Sequence, residues 1–372
     1  VSFARFSLII VTTLLFVMGL LMIFNTSSAE VLDLSLSRST HQSLVRQIFY
    51  AMAGCIIAMA LWVLGYRQVL RLSGFFLAVL TALLVLTLIP GVGHKVNGAR
   101  RWIGFAGISF QPSEWVKFAL PFYWVDRYLQ QGEITLPFFL KMGAVALVPL
   151  SLIMLQPNTG TCAVIGLTLM VVCFLTRVPF KYWGVPTLTV LLVGSALAYH
   201  MPHVSSRLRV YRNPELDIQG KGHQPRQSKI AAGSGQLLGK GPGRSLQKLS
   251  YLPEAQNDYI AAIFAEEYGF LGMLLLISLY TGIALIGFQA ALFARDLAGF
   301  YMAAIIAFLI SFQAFLNMGV VSGLLPSTGL NLPLFSQGGT SLVANIMALG
   351  LLLNIIAESE AAKNHPHPST LS

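Results

Sequence analysis

Long apolar runs separated by polar breaks set the plan of this chain. They cover Phe6–Phe24, Gln47–Tyr66, Leu70–Pro90, Ser113–Tyr128, Phe138–Leu155, Thr161–Leu175, Phe180–Met201, Asp258 to about Leu292, Leu297 to about Leu316, and Ser341–Ala357. A helix needs about 20 apolar residues to cross a hydrocarbon core of roughly 30 Å. The pattern predicts an all-α integral membrane protein with about ten transmembrane helices. The first run is too long for a signal-peptide core, and no small-residue cleavage site follows it at once, so it reads as a retained span.

The breaks differ in kind. Arg67 and Arg71 sit in a tight turn between the second and third spans. Gly91–Pro112 reads as a polar loop, with Ser113 as the N-cap of the fourth span and Pro112 stopping any upstream helix. His203–Asn257 is the one long loop, expected outside the membrane between spans seven and eight (residues 202–257). Gly319–Thr340 is rich in Gly, Pro and Ser. Irregular backbone at membrane depth survives only where protein or water covers it, so this stretch is expected to line a cavity. An ordinary external loop is the alternative. Residues 1–360 are read as a single polytopic domain and 361–372 as a disordered cytoplasmic tail.

Composition supports lipid as the solvent. The 372 residues are 55% hydrophobic and 10% charged, with mean hydropathy +0.71, against roughly 25% charge in soluble domains. The net charge of +10 is not gathered on a soluble module. It points to anionic membrane lipids or phosphate-bearing substrates, not to nucleic acid. Cys55, Cys162 and Cys173 all lie in apolar runs and read as small hydrophobes. With the N-terminus inside, nine of the 24 Lys and Arg face inward, and nine of the remaining fifteen fall in the long loop. That loop's charge therefore serves a ligand or the topology is inverted; without it the bias leans toward cytoplasmic termini.

Several stretches carry candidate chemistry. Arg100 and Arg101 can fork onto phosphate oxygens, and Trp102 suits an interface; headgroup anchoring is the plainer reading. Glu114 and Lys117 share one helix face and either pair structurally or serve a site. Gln156-Pro-Asn-Thr-Gly160 is a tight turn, or else Gln156 and Asn158 line a polar cavity. The segment GSGQLLGKGPGRS fails as a nucleotide P-loop, because Gly241 follows Lys240 where Ser or Thr is needed. It remains a cationic loop whose amides can nest an anion. Asp258 reads as an N-cap or a reactive carboxylate, and Glu266 and Glu267 lie about 12 Å deeper, at 1.5 Å per residue, with no evident partner.

Taken in order, GARRWI…QPSEWVKF, QPNTGT, QSKIAAGSG…GKGPGRSLQKLSYLPEAQNDYIAAIFAEEYGFLG and NMGVVSGLLPSTGLNLPLFSQGGTSL resemble the SEDS family of shape, elongation, division and sporulation proteins. The resemblance runs from about Gly98 to Leu342, and the wording of Ser245–Ala255 is nearer the division members than the elongation members. It implies polymerisation of lipid II, the undecaprenyl-pyrophosphoryl disaccharide-pentapeptide, into glycan strands outside the inner membrane, at the septum. It also implies a class b penicillin-binding protein and other division proteins as partners, and Asp258 as the catalytic residue. The sequence departs from the family at Asn158, where Asp is usual, at Gln256 and Asn257, where His and Thr are usual, and at Gln337, where Tyr is usual.

Glycosyl transfer to a sugar hydroxyl with a diphosphate leaving group needs at minimum one base and cationic stabilisation. Asp258 suits the base. Arg100, Arg101, Trp102, Glu114, Lys117, Asn158, Lys229, Arg244, Glu254, Gln256 and Ser336 are the expected substrate-binding residues. No metal site is expected and no cofactor is required; a divalent cation is left open. Two rival readings are a lipid flippase or transporter and a non-catalytic scaffold that activates the penicillin-binding protein.

Overall fold

The computed structural model describes residues 3–34, 40–96, 99–105, 108–189, 211, 222–249 and 256–364. The helices are α1 (Phe3–Leu34), α2 (Gln42–Leu64), α3 (Tyr66–Arg71), α4 (Ser73–Leu88), α5 (Pro112–Gln131), α6 (Leu136–Leu155), α7 (Thr159–Leu175), α8 (His223–Ser234), α9 (Ile260–Leu292), α10 (Leu297–Val321) and α11 (Gly339–Asn364). Residues 180–189 are also helical. Among the described residues six helices are long and apolar enough to span a membrane: α1, α2, α6, α9, α10 and α11. Helices α4 and α7 are apolar but shorter. Helix α5 is long enough but carries Glu114, Lys117, Asp126 and Arg127. The predicted seventh span is described only as far as residue 189.

Three expectations change. Gly91–Pro112 is not a plain loop: β1 (Gly93–Val96), β2 (Ala99–Phe105) and β3 (Ile108–Phe110) form an antiparallel sheet in that order. His94 lies opposite Trp102, and Lys95 opposite Arg100. Ser113 does not cap α5; Gln111 precedes the helix, Pro112 takes its first turn, and Ser113 is buried inside it. Helix α11 extends to Asn364, so the expected tail is helical over residues 361–364, and its remainder lies outside the described residues.

Lipid tails are as apolar as leucine, so the hydrophobic effect does little to pair helices within the bilayer; close backbone approach does more. Helix α2 packs along α11, and α9 along α10. A Cβ on Gly350 would come within 2.7 Å of Ala58 Cβ, and one on Gly54 within 3.2 Å of Ile346. These glycines set the α2–α11 distance. Helix α10 is mostly buried along its length and forms the centre of the bundle.

Ion pairs tie the helices together at the α9–α10 turn. Arg67 of α3 bonds Asp296 at 2.5 Å and also pairs with Glu358 of α11. The Tyr66 hydroxyl donates to Asp296 at 3.1 Å, and the Tyr66 amide donates to Asn354 Oδ1 at 3.0 Å. Arg5 of α1 reaches Glu360 at 2.6 Å. Burial pushes the Asp296 carboxyl up, but the Gly299 amide, the Arg67 guanidinium and the Tyr66 hydroxyl outweigh it and hold it below the usual carboxylate range.

A carboxylate depressed in the folded state stabilises the fold above its unfolded pKa, and that contribution vanishes as pH falls through the folded value. The thermal unfolding midpoint of the purified protein should therefore drop as pH is lowered below the ordinary Asp value of about 3.9. Asp296→Asn should lower the midpoint at neutral pH and flatten this acid limb. An unchanged limb would show that Asp296 is not its source.

Candidate active site

A polar cavity of about 940 Å³ opens where the sheet, the start of α5, the 256–259 turn and the 323–338 interruption converge. Its walls carry two carboxylates, Glu114 and Asp258, and four basic side chains, Arg46, His94, Lys95 and Arg101. Trp102, Tyr50, Gln111, Gln224, Asn257, Asn331 and Gln337 add aromatic and amide surface. The interruption does line a cavity, through Gly329, Asn331 and Gln337–Ser341.

Each wall is pinned by buried polar contacts. The Gln47 amide donates to Ser336 O at 3.1 Å and accepts from Gly338 N at 3.3 Å, fixing α2 to the interruption. Thr340 Oγ1 donates to Ser109 O at 3.0 Å and accepts from Gln111 N at 3.1 Å, so α11 grips β3 and the α5 entry. Asn317 of α10 donates to both Asp258 O, at 2.8 Å, and Leu330 O, at 2.7 Å. The Gln337 amide donates to Gln256 O at 2.9 Å. Two residues before α9, Asp258 stands at the positive end of the helix macrodipole. A Cβ on Gly329 would stand 3.7 Å from Asp258 Oδ2, so that glycine borders the carboxylate.

Below the cavity runs a buried polar chain. Lys117 Nζ donates to Glu114 Oε2 and to Gln313 Oε1, both at 2.8 Å. Gln313 Nε2 in turn donates to Asn331 O at 2.8 Å. The lysine side chain is 2% exposed and the glutamate 10%, so only Glu114 reaches the cavity. Lys117 supports it from below.

The other expected residues separate in space. Arg101 lines the cavity and its neighbour Arg100 does not. The two arginines cannot fork onto one phosphate. Arg101 is held by Gln156 O at 2.9 Å and Pro157 O at 2.5 Å. The QPNTG break is thus a turn that orients Arg101, and neither Gln156 nor Asn158 lines the cavity: Gln156 Nε2 donates to Thr87 Oγ1 at 2.6 Å and Asn158 Nδ2 to Ser113 Oγ at 3.3 Å. Ser336 Oγ accepts from Leu332 N at 2.8 Å, and Gln256 holds Gln337 through its carbonyl, so both shape loops behind the wall. Lys229 packs on the Gly323 turn and Arg244 is exposed; neither borders the cavity. Glu254 lies outside the described residues. No group of three or more His, Cys, Asp and Glu suited to a metal ion occurs among the described residues. Arg46, Gln47, Tyr50, His94 and Lys95 were missed by sequence reasoning; the first three start an apolar run, where they pass for a helix end.

The glycine-rich cationic loop holds an anion, but the anion belongs to the protein. Glu266 Oε1 accepts from Lys240 Nζ at 2.6 Å, and Glu266 Oε2 from Ser245 Oγ at 2.5 Å. Glu267 accepts from Lys248 Nζ at 3.0 Å and from Asn25 of α1 at 2.7 Å. These are the missing partners of Glu266 and Glu267. Helix α9 breaks at Gly269 (φ 66°, ψ −162°), and the loop backbone takes over its hydrogen bonding. Lys240 N donates to Glu266 O and Gly241 N to Glu267 O, both at 3.0 Å. In return Phe270 N donates to Gln236 O at 2.8 Å and Leu271 N to Leu237 O at 3.2 Å.

Fold and cavity together define a polytopic membrane protein with a carboxylate-bearing, cation-lined chamber beside one end of its bundle. The chain belongs to the cell cycle protein family of FtsW, RodA and SpoVE, whose model matches residues 5–361. It is 37% identical over 362 residues to the probable peptidoglycan glycosyltransferase FtsW of Coxiella burnetii, covering 95% of this chain and 96% of that one. It is 37% identical to the stage V sporulation protein E of Bacillus subtilis, over 94% of this chain and 95% of that one. A chain of a peptidoglycan synthase complex that coordinates polymerization and crosslinking superposes with TM-score 0.77 at 25% identity, covering 95% of this chain and 98% of its own. A mutant of the rod shape determining protein RodA of Thermus thermophilus superposes with TM-score 0.68 at 26% identity, covering 94% and 96%.

Gly239 (φ 82°) has no room for a Cβ, which would come 2.2 Å from Glu267 O. Gly239→Ala should destabilise the protein by about 1–3 kcal/mol, read as a lower unfolding midpoint in detergent. Gly143→Ala, in open space within α6, should not. Lys117→Met leaves Glu114 buried without its cation and should cost about 3–5 kcal/mol. Adding Glu114→Gln should restore much of that loss, and failure to do so would show that the pair is not the source of the penalty.

Proposed function

We propose that the protein is a peptidoglycan glycosyltransferase of cell division that polymerises lipid II, with Asp258 as general base. The observation that carries this reading is one cavity shared by the Asp258 and Glu114 carboxylates and the basic side chains of Arg46, His94, Lys95 and Arg101. Membership of the family and the glycosyltransferase names of close relatives support it. The wording of Ser245–Ala255 supports the division role.

In this reaction the acceptor sugar oxygen forms a bond to the donor anomeric carbon while the bond from that carbon to the diphosphate oxygen breaks. The acceptor hydroxyl proton passes to Asp258. The diphosphate leaves with the bonding electron pair, and its charge develops against the cationic wall. Preorganised cations in a partly desolvated site stabilise such charge without reorganising. Arg101 is suited to this because two backbone carbonyls fix its guanidinium. A stable diphosphate anion needs no general acid, so one carboxylate base suffices. Direct attack gives inversion at the donor carbon. Glu114, with its charge balanced by Lys117, is suited to hold donor or acceptor hydroxyls, and Trp102 to stack on a sugar face. Glu254 is retained as a further substrate-binding carboxylate.

The proposal extends to the setting. About ten spans, both termini cytoplasmic, suit the apolar pattern and the charge bias outside the long loop. A class b penicillin-binding protein at the septum suits the similarity to a chain of a complex that combines polymerization with crosslinking.

The test is glycan synthesis from lipid II by the purified protein with its partner. Loss of a general base costs typically 100- to 10,000-fold, so Asp258→Asn should lower the rate by about that factor with an unchanged unfolding midpoint. A wild-type rate would remove the base assignment. Lipid movement across liposomes with no polymer from the wild type would favour a transporter.

A further inference from the structure

We propose that the turn from Gln236 to Gly241 is seated in the bilayer, with Leu237 and Leu238 among the acyl chains just below the lipid headgroups. Leu237 is 58% exposed and Leu238 is 73% exposed, although they belong to a segment rich in Gly, Lys and Arg. Their position is not adjustable. Gln236 O and Leu237 O accept from Phe270 N and Leu271 N, and Lys240 N and Gly241 N donate back to Glu266 O and Glu267 O. A Cβ on Gly269 would meet Leu237 O at 2.7 Å, so the turn lies flat against the helix break.

The height of that break fixes the height of the turn. From Gly269 to Leu292, α9 rises about 35 Å at 1.5 Å per residue, against a hydrocarbon core of roughly 30 Å. Leu292 and Gly269 therefore stand at opposite boundaries of the core. Just below the break, Phe270 is 60% exposed, and Leu271 and Leu274 about half exposed, as lipid-facing residues are. The two leucines of the turn extend this apolar face by one step toward the headgroups. Charge follows the same order. Arg244 is exposed, and its side chain lies 3.5 Å from where a Gly241 Cβ would be. With the turn so seated, this basic side chain beside it can meet lipid phosphates, the arrangement of an interfacial element with an apolar tip and a basic shoulder. The occupant of the surface is thus lipid. This proposal does not depend on the reaction catalysed.

The test uses the full chain in liposomes of phosphatidylglycerol and phosphatidylethanolamine, with Cys55→Ser, Cys162→Ala and Cys173→Ala and a single Leu238→Cys carrying an environment-sensitive fluorophore. The label should emit at blue-shifted wavelengths. It should lose most of its intensity to lipids bearing a nitroxide near the headgroup, less to lipids bearing it at the chain end, and little to iodide. A chain that keeps Cys55, exposed on α2, as its single cysteine serves as the lipid-facing control, and one with only Glu133→Cys, exposed between α5 and α6, as the water-facing one. Quenching by iodide equal to that at position 133 would overturn the proposal. So would protection from both quenchers, which would mean that protein covers the turn.

Discussion

The break in α9 at Gly269 is the constraint on which the site depends. A break in a helix leaves amides and carbonyls unpaired, and such groups are costly wherever water does not reach them. The Gln236–Gly241 turn supplies both sets, accepting from Phe270 and Leu271 and donating to Glu266 and Glu267. The carboxylates of those two glutamates then collect Lys240, Lys248, Ser245 and Asn25. Loop, α1 and the first turns of α9 are thereby locked as one unit. Asp258 stands at the head of that unit.

A second set of contacts fixes Asp258 from the other side. Asn317 holds its carbonyl and that of Leu330, joining the 256–259 turn to the interruption after α10. Gln47 and Thr340 tie the same interruption to α2 and the sheet. Side-chain amides do most of this bridging. An amide both donates and accepts, so one Asn or Gln can hold two irregular backbone segments without bringing in net charge.

Charge is divided by place. At the α9–α10 turn, Arg67, Asp296 and Glu358 join three helices and hold the bundle closed. Beneath the cavity, Glu114 and Lys117 neutralise each other where an isolated charge would not be tolerated. Among the described residues, the basic groups of the cavity wall come from α2 and the sheet. In the proposed reaction Arg46, Lys95 and Arg101 would face the diphosphate, while Lys240 and Lys248 hold the glutamates at the helix break.

Much of this was legible in the chain itself. A long apolar run is a redundant signal, so most described helix ends fall within five positions of those expected, although α1 runs ten residues past its expected end and α11 seven. Asp258, Glu114, Arg101 and Trp102 stood out because ionisable or aromatic residues at the edge of apolar runs are rare, and all four line the cavity. The sheet was missed, although Asn97-Gly98 between β1 and β2 is a hairpin dipeptide. What only the tertiary structure decided is which charges meet. Arg101 enters the cavity wall while Arg100 does not, and a helix break draws Lys240 and Lys248 to Glu266 and Glu267. Both depend on how backbone segments pack against one another, about which composition and spacing carry no information.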